Sequence, residues 1–180
     1  QYVDWTRGRR AHTFFGDGVA AHVSTARPVS PGLVTAVQAA AGRVGVAVQR
    51  GLTYACVEGP RLGTQAESHL LRQLGCHLVG MTNVPEVFLA REAQMAYATV
   101  GLVTDYDSWM DDPAQHANVG AIFERYGRTL ALAGRVLSEL IQGEISEPEA
   151  ESREALRTAV LTPESALSEA QGDWLRVLMR

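Results

Sequence analysis

The sequence predicts an α/β fold in which helices flank a mixed central sheet. Short runs rich in valine, tyrosine and alanine alternate with longer segments whose apolar residues recur at helical spacing. The 180 residues are 46% hydrophobic, which is enough to bury the core of one domain. We therefore expect residues 1–180 to form a single domain, with a largely parallel or mixed sheet between helices.

The predicted helices are marked by their capping residues. The segment 31–42 begins with proline and ends with glycine, as helices often do. In the segment 64–75, Thr64 is a suitable N-cap, and Glu67 three residues later completes the capping-box pattern. Four further helices are predicted from proline in a first turn or from apolar periodicity, over 84–95, about 119–143, 153–161 and 168–180.

The predicted strands are short apolar runs between these helices. The longest, 96–104, is almost continuously apolar, which is typical of a strand covered on both faces of a sheet. The acidic segment 144–154 is interpreted as a solvated connection and not as a binding tail. The other strand predictions are 44–48, 53–59, a buried strand at 77–81, and the end of 14–23, which begins as a loop.

Charge and composition exclude several classes of function. Acidic residues outnumber basic ones by 20 to 16, which argues against a nucleic-acid-binding surface. No apolar run reaches membrane-spanning length, and the opening residues lack the pattern of a secretory leader. Cys56 and Cys76 form no spaced framework, so we expect a reducing cytoplasm. No metal or organic cofactor is expected, because ligand spacing is absent among His12, His22, His69, His77 and His116.

Unusual polar or glycine-containing sequence follows three of the predicted strands. These strand ends carry the range 58–61, then Met81 with Thr82, and finally Asp105 with Asp107. Ligands of open α/β sheets bind beyond the carboxyl ends of the strands. If these strands are neighbours, we expect the three ends to line one cleft, although a single strand-end aspartate is more often a cap or turn residue.

Three stretches of the sequence together resemble a known enzyme family. The stretches 14–24 (FFGDGVAAHVS), 54–68 (YACVEGPRLGTQAES) and 79–109 (VGMTNVPEVFLAREAQMAYATVGLVTDYDSW) are similar to the 5′-methylthioadenosine phosphorylases of the purine nucleoside phosphorylase superfamily. The resemblance covers roughly residues 1–140. It implies a pentosyltransferase of methionine and purine salvage that converts 5′-methylthioadenosine and phosphate into adenine and 5-methylthioribose 1-phosphate.

The resemblance assigns roles to the two aspartates. Asp105 would be the general acid that protonates N7 of the departing purine, and Asp107 would bind the 6-amino edge of adenine. The acid role is physically reasonable, because burial at a strand end raises the pKa of a carboxyl group and lets it hold a proton near neutral pH. Two carboxylates accept hydrogen bonds from an exocyclic amine, whereas an ionised carboxylate repels a 6-oxo group. Adenine is therefore the favoured base, although relatives that use methylthioinosine exist.

The resemblance also assigns sugar, phosphate and base contacts. Met81 would pack its thioether against the ribose, and Thr82 would donate its hydroxyl to phosphate, which acts as the co-substrate. Leu62 and Gly63 stand where the family usually has Phe-Ser against the purine. Leucine can cover a purine face, but the lost aromatic stacking is on the order of 1 kcal/mol.

The remaining contacts concern the methylthio group and a neighbouring subunit. Val119, Ile122 and Phe123 fall near the family's apolar positions for the 5′-methylthio group, but ordinary helix-face packing explains them equally well. His22 matches a histidine that the family contributes to the site of a neighbouring subunit, and a homotrimer is implied. No membrane or nucleic-acid partner is expected.

The resemblance begins in the middle of the family's sequence. The family's Gly-rich and Arg-His phosphate elements would precede Gln1, and the basic stretch 7–12 does not correspond to them. Three explanations stay open: a piece of a longer product, a separate polypeptide carrying the N-terminal half, or a truncated non-catalytic module for purine binding or oligomerisation. A purine nucleoside phosphorylase acting on methylthioinosine, adenosine or inosine is the alternative activity.

Overall fold

The computed structural model describes residues 1–110, 112 and 119–179. Its three named strands are β1 (Tyr2–Asp4), β2 (Tyr54–Cys56) and β3 (Leu78–Gly80), and they form a parallel sheet in the order β1-β2-β3. In this register Tyr2, Tyr54 and Leu78 lie side by side. In the described part of the chain, Ala21 and Val160 also form an isolated antiparallel bridge outside the named strands.

Helices connect and flank these strands, and the predicted α/β class is confirmed. A 3-10 turn, Glu164–Ala166, precedes the last helix. Apart from the segment 153–161, which consists mostly of turns beyond Arg153, every predicted helix is present. The helices are α1 (Pro31–Arg43), α2 (Gln65–Gln73), α3 (Glu86–Glu92), α4 (Val119–Gln142), α5 (Ala150–Arg153) and α6 (Glu169–Leu178).

Two apolar clusters hold these elements together. In the first, Ala40 and Ala41 of α1 pack against Val136 of α4, where small alanine side chains let the two helices approach closely. In the second, Cys56 of β2 packs against Val87 of α3, with aromatic side chains around them. The second cluster fixes α3 against the sheet and so determines where the carboxyl ends of β2 and β3 lie. Within the described ranges, no helix is both long and apolar enough to cross a membrane.

Three strand predictions are wrong and a fourth needs correction. The segments 14–23, 44–48 and 96–104 form no ladder with the described residues. A strand exists only if another strand lies beside it, and apolar composition does not supply that partner. The segment 96–104 is instead attached by single hydrogen bonds. The Tyr97 hydroxyl contacts Glu86, Thr99 contacts Tyr2, and the Tyr97 carbonyl accepts from the Ser30 N–H at 2.8 Å. The strand β3 is present but not buried, since Val79 is 41% exposed.

The acidic segment 144–154 contains specific contacts and is more than a solvated connection. The Glu149 carboxylate accepts hydrogen bonds from the Gly32 N–H at 2.6 Å and from the Ser30 hydroxyl at 2.9 Å, at the N-terminus of α1. Glu151 forms an ion pair of 3.0 Å with Arg91, which is 4% exposed. These non-local contacts could not be read from the charge pattern of the segment alone.

Candidate active site

The carboxyl ends of β2 and β3 meet at Gly59 and Met81. A Cβ atom at Gly59 would lie 2.6 Å from the Met81 Sδ atom, so the thioether occupies the space that any side chain at position 59 would take. A larger residue at position 59 would require the flexible Met81 side chain to move. The predicted convergence of these two strand ends is present in the structure.

Thr82 is fixed through its backbone while its side chain is exposed. Its N–H lies 3.4 Å from the hydroxyl of Tyr54, and its carbonyl accepts a hydrogen bond from the Cys56 thiol at 2.9 Å. Burial raises the pKa of the Cys56 thiol, which keeps the thiol protonated and able to donate. The Tyr54 ring passes over Gly80, where a Cβ atom would overlap it. The Thr82 side chain therefore projects from a well-anchored loop.

Asn83 continues this loop in an unusual backbone conformation. Its φ of 70° lies in the left-handed region, which asparagine tolerates better than most residues. The Tyr97 hydroxyl lies 3.2 Å from the Asn83 side-chain oxygen and 2.8 Å from a Glu86 carboxylate oxygen. Burial and the hydrogen bond to Glu86 raise the pKa of Tyr97, so its hydroxyl remains a donor. Tyr97 thereby supports the turn that presents Met81 and Thr82.

Arg10 is a residue of this region that the sequence did not indicate. Its guanidinium group contacts both carboxylate oxygens of Glu58, at 3.3 and 3.2 Å. It also donates to the Met81 carbonyl at 3.0 Å and to the Val84 carbonyl at 2.5 Å. The hydrogen bonds from Arg10 hold the pKa of Glu58 below its ordinary value. Arg10 thus joins the loop after β2 to the loop after β3.

The two candidate aspartates are half-buried and held by local contacts. Asp105 Oδ1 accepts from the Thr104 hydroxyl at 2.5 Å, and Asp107 Oδ1 accepts from the Ser108 N–H at 2.9 Å. The Ser108 hydroxyl lies 3.4 Å from the Gly63 carbonyl. That contact brings the segment with both aspartates next to the predicted purine-covering residues.

Aromatic and cationic side chains attach the aspartate segment to α2. The guanidinium carbon of Arg72 lies 3.6 Å from the centroid of the Trp109 ring, which is cation–π geometry. The Tyr106 ring meets Trp109 edge-on, with 5.9 Å between centroids. These contacts order the stretch that carries Asp105 and Asp107.

The other predicted site residues are more exposed. Leu62 beside Gly63 is 63% exposed, and Phe123 near the start of α4 is 70% exposed, whereas Ile122 is half-buried. Val119 begins α4, and its side chain lies outside the described residues. His22 is exposed, and its N–H donates to the Ala159 carbonyl at 2.8 Å.

The start of α4 lies next to the aspartate segment. Arg125 donates to the Thr104 carbonyl at 2.9 Å. Residues 58–63 are thus the common element of the site, because one end contacts Met81 and the other contacts Ser108.

Comparisons with known proteins show the family of this chain. A profile of the Phosphorylase superfamily matches residues 1–142. An S-methyl-5′-thioadenosine phosphorylase of Geobacter sulfurreducens is 40% identical over 167 residues, which are 93% of this chain and 58% of that protein. One of Thermosynechococcus vestitus is 39% identical over 99% of this chain and 63% of that protein. The chain therefore spans less than two thirds of the length of these relatives.

Solved structures extend the similarity to the fold. A methylthioadenosine phosphorylase from an antarctic soil metagenomic library superposes with a TM-score of 0.88 at 35% identity, over all of this chain and 63% of that one. The Q289L mutant of adenosine/methylthioadenosine phosphorylase from Schistosoma mansoni, in complex with adenine, matches 78% of this chain and 56% of its own, with a TM-score of 0.73 and 28% identity. From its profile match, its relatives and its fold, the chain belongs to the phosphorylase superfamily.

Proposed function

We propose that this chain carries the nucleoside site of a 5′-methylthioadenosine phosphorylase, which forms adenine and 5-methylthioribose 1-phosphate in methionine and purine salvage. The observation that carries the proposal is that residues 58–63, which follow β2, meet both the loop after β3 and the segment with the two aspartates. Gly59 contacts Met81 at one end of that range, and Gly63 contacts Ser108 of the aspartate segment at the other. The names of the relatives supply the substrate class.

The proposed chemistry follows from charge development in the transition state. As the N-glycosidic bond breaks, positive charge develops on the sugar and negative charge on the purine. Asp105 donates a proton to N7 and neutralises the leaving base, and Asp107 accepts a hydrogen bond from the 6-amino group. Their attachment through Ser108 and Trp109 reduces the motion that a poorly positioned acid would have.

The sugar and phosphate contacts lie on the loop after β3. Met81 is proposed to pack its thioether against the ribose, and this thioether lies next to Gly59. The exposed Thr82 hydroxyl is proposed to donate to the phosphate that attacks the anomeric carbon. Leu62 would cover one purine face, and Ile122, Phe123 and Val119 would receive the methylthio group.

The activity test uses a protein that carries these residues and is extended to the length of the relatives, with 5′-methylthioadenosine in the presence and absence of phosphate. We expect adenine release that requires phosphate, measured by liquid chromatography together with the phosphorylated sugar. Equal release without phosphate would indicate hydrolysis and would overturn the proposal. Activity on inosine without activity on 5′-methylthioadenosine would favour the 6-oxopurine branch instead.

Calorimetry with adenine, combined with the activity test, distinguishes an enzyme from a non-catalytic purine-binding module. If adenine binds and no nucleoside is cleaved even at high phosphate, the chain is a non-catalytic purine binder, and the enzymatic proposal fails for it. If adenine does not bind at all, the nucleoside site itself is refuted.

A further inference from the structure

We infer that Arg10 is a positioning residue for the nucleoside: through Glu58 and the carbonyls of Met81 and Val84 it fixes the loop that carries the sugar contacts. This inference rests on the proposed function and adds a residue to it. Arg10 lies 48 or more residues from each of these partners in sequence. The segment 7–12 therefore serves the site, although it matches no phosphate element of the family.

The geometry of the contacts supports this positioning role. We call Arg10, Glu58 and the carbonyls of Met81 and Val84 the clamp, because Arg10 joins the two loops through them. A guanidinium group presents its N–H donors in a rigid plane. In Arg10, Nε and Nη2 donate to the Glu58 carboxylate, while Nη1 and Nη2 donate to main-chain carbonyls. Lysine has the same charge but a single ammonium group, which cannot span the Glu58 carboxylate and two carbonyls at once. The role of Arg10 therefore depends on its shape and not on its charge alone.

The location of the clamp predicts which ligand group depends on it. Arg10 contacts Met81 through the carbonyl, directly behind the side chain proposed to meet the ribose. The aspartate segment is attached elsewhere, through Gly63 and Arg72. Loosening the clamp should therefore displace the sugar contacts more than the contacts of Asp105 and Asp107 with the base.

The Arg10 side chain is partly buried, with 24% of its surface exposed. The Glu58 side chain is 33% exposed. A small cation from solution could therefore reach the space left by a truncated side chain. This exposure makes chemical rescue a usable test of position.

The experiment measures the affinities of the chain for 5′-methylthioadenosine and for free adenine by calorimetry, with variants Arg10→Lys and Arg10→Ala. We expect Arg10→Lys to weaken nucleoside binding about tenfold while adenine binding changes less than about twofold, because a displaced loop costs only the contacts it carries. A millimolar concentration of guanidinium ion should restore part of the nucleoside affinity of Arg10→Ala. The control is Arg7→Ala, an exposed arginine in the same loop.

Three outcomes would contradict the inference. Equal weakening of both ligands, with a lowered melting temperature, would show that Arg10 only stabilises the fold and would overturn the inference. Unchanged affinities in Arg10→Lys would refute the clamp while the proposed function stands. If the unmodified chain binds neither ligand, the proposed function fails first and the role of Arg10 in nucleoside binding fails with it.

Discussion

At the scale of single residues, Asp105 and Asp107 follow the same stretch of chain but have different surroundings. Asp105 is bonded to the hydroxyl of its neighbour Thr104, whereas Asp107 caps the N–H of Ser108. The backbone N–H of Ser108 orients the Asp107 carboxylate, which suits the acceptor role proposed for it toward the 6-amino group. Each aspartate is thus oriented by a donor from an adjacent residue.

Replacing Asp105 with asparagine tests the acid role. We expect Asp105→Asn to lower turnover of 5′-methylthioadenosine by on the order of 10²–10⁴-fold, since an amide cannot transfer a proton to N7. The melting temperature should change little, because the side chain is only half-buried. The control is Asp17→Asn in an exposed loop, where φ is 51° and asparagine is well tolerated. Turnover close to that of the parent chain would remove Asp105 from the acid role.

The sequence could predict residues whose signal is local and could not predict those whose partners are distant. Thr64 and Glu67 were found because a capping box needs only a spacing of three, and the structure contains both of its hydrogen bonds. Arg10 was missed because its carboxylate partner lies 48 residues away and its other acceptors are main-chain oxygens. No local pattern marks an arginine of that kind.

At the scale of elements, helices could be predicted more completely than strands, of which 53–59 and 77–81 are confirmed as β2 and β3. The helix α4 is defined by apolar periodicity within its own sequence, and α6 by Ser168 and Gln171 at its start. The segment 96–104 has strand-like composition, yet Val103 is 62% exposed and the segment pairs with no described strand. Helix hydrogen bonds close within four residues, whereas a ladder needs a second segment that the composition does not identify.

The N-terminus of α1 gives a prediction about stability and pH. Burial alone would raise the pKa of Glu149, but the N–H groups of Gly32 and Glu149 itself, the Ser30 hydroxyl and the charge of Arg91 outweigh burial and lower it. A carboxyl group whose pKa is lowered on folding stabilises the protein above its unfolded pKa, about 4.3 for glutamate, and loses that contribution as the pH falls through its folded pKa.

We therefore expect Glu149→Gln to lower the free energy of unfolding by about 1 kcal/mol near neutral pH. The difference between variant and parent should shrink as the solution is made more acidic than the unfolded pKa. Urea denaturation followed by circular dichroism at several pH values measures both effects. Glu147→Gln is the matched control, because Glu147 is 86% exposed. An equal loss of stability at all pH values would contradict the role assigned to the charge.

At the scale of the whole molecule, many large apolar side chains of the described residues are exposed. Where such side chains cluster on one face, they commonly mark a surface that contacts further protein. The short strands β1 and β3 lie at the two edges of the sheet, and an open edge also favours association with further chain. The exposed side chains on α4 form a stripe at helical spacing: Phe123, Tyr126, Leu130, Leu137 and Ile141.

We predict that the active assembly is a homotrimer in which His22 of one copy serves the site of the next. His22 is exposed, and the Ala21–Val160 bridge beside it fixes its backbone, so its side chain is available to a neighbour. Sedimentation should give three times the mass of one chain, and His22→Ala and Asp105→Asn should each turn over poorly alone. A refolded mixture of the two should regain activity, because some sites then combine an intact Asp105 with an intact His22 from the adjacent copy. A single-chain mass, or a mixture no more active than its parts, would exclude the shared site.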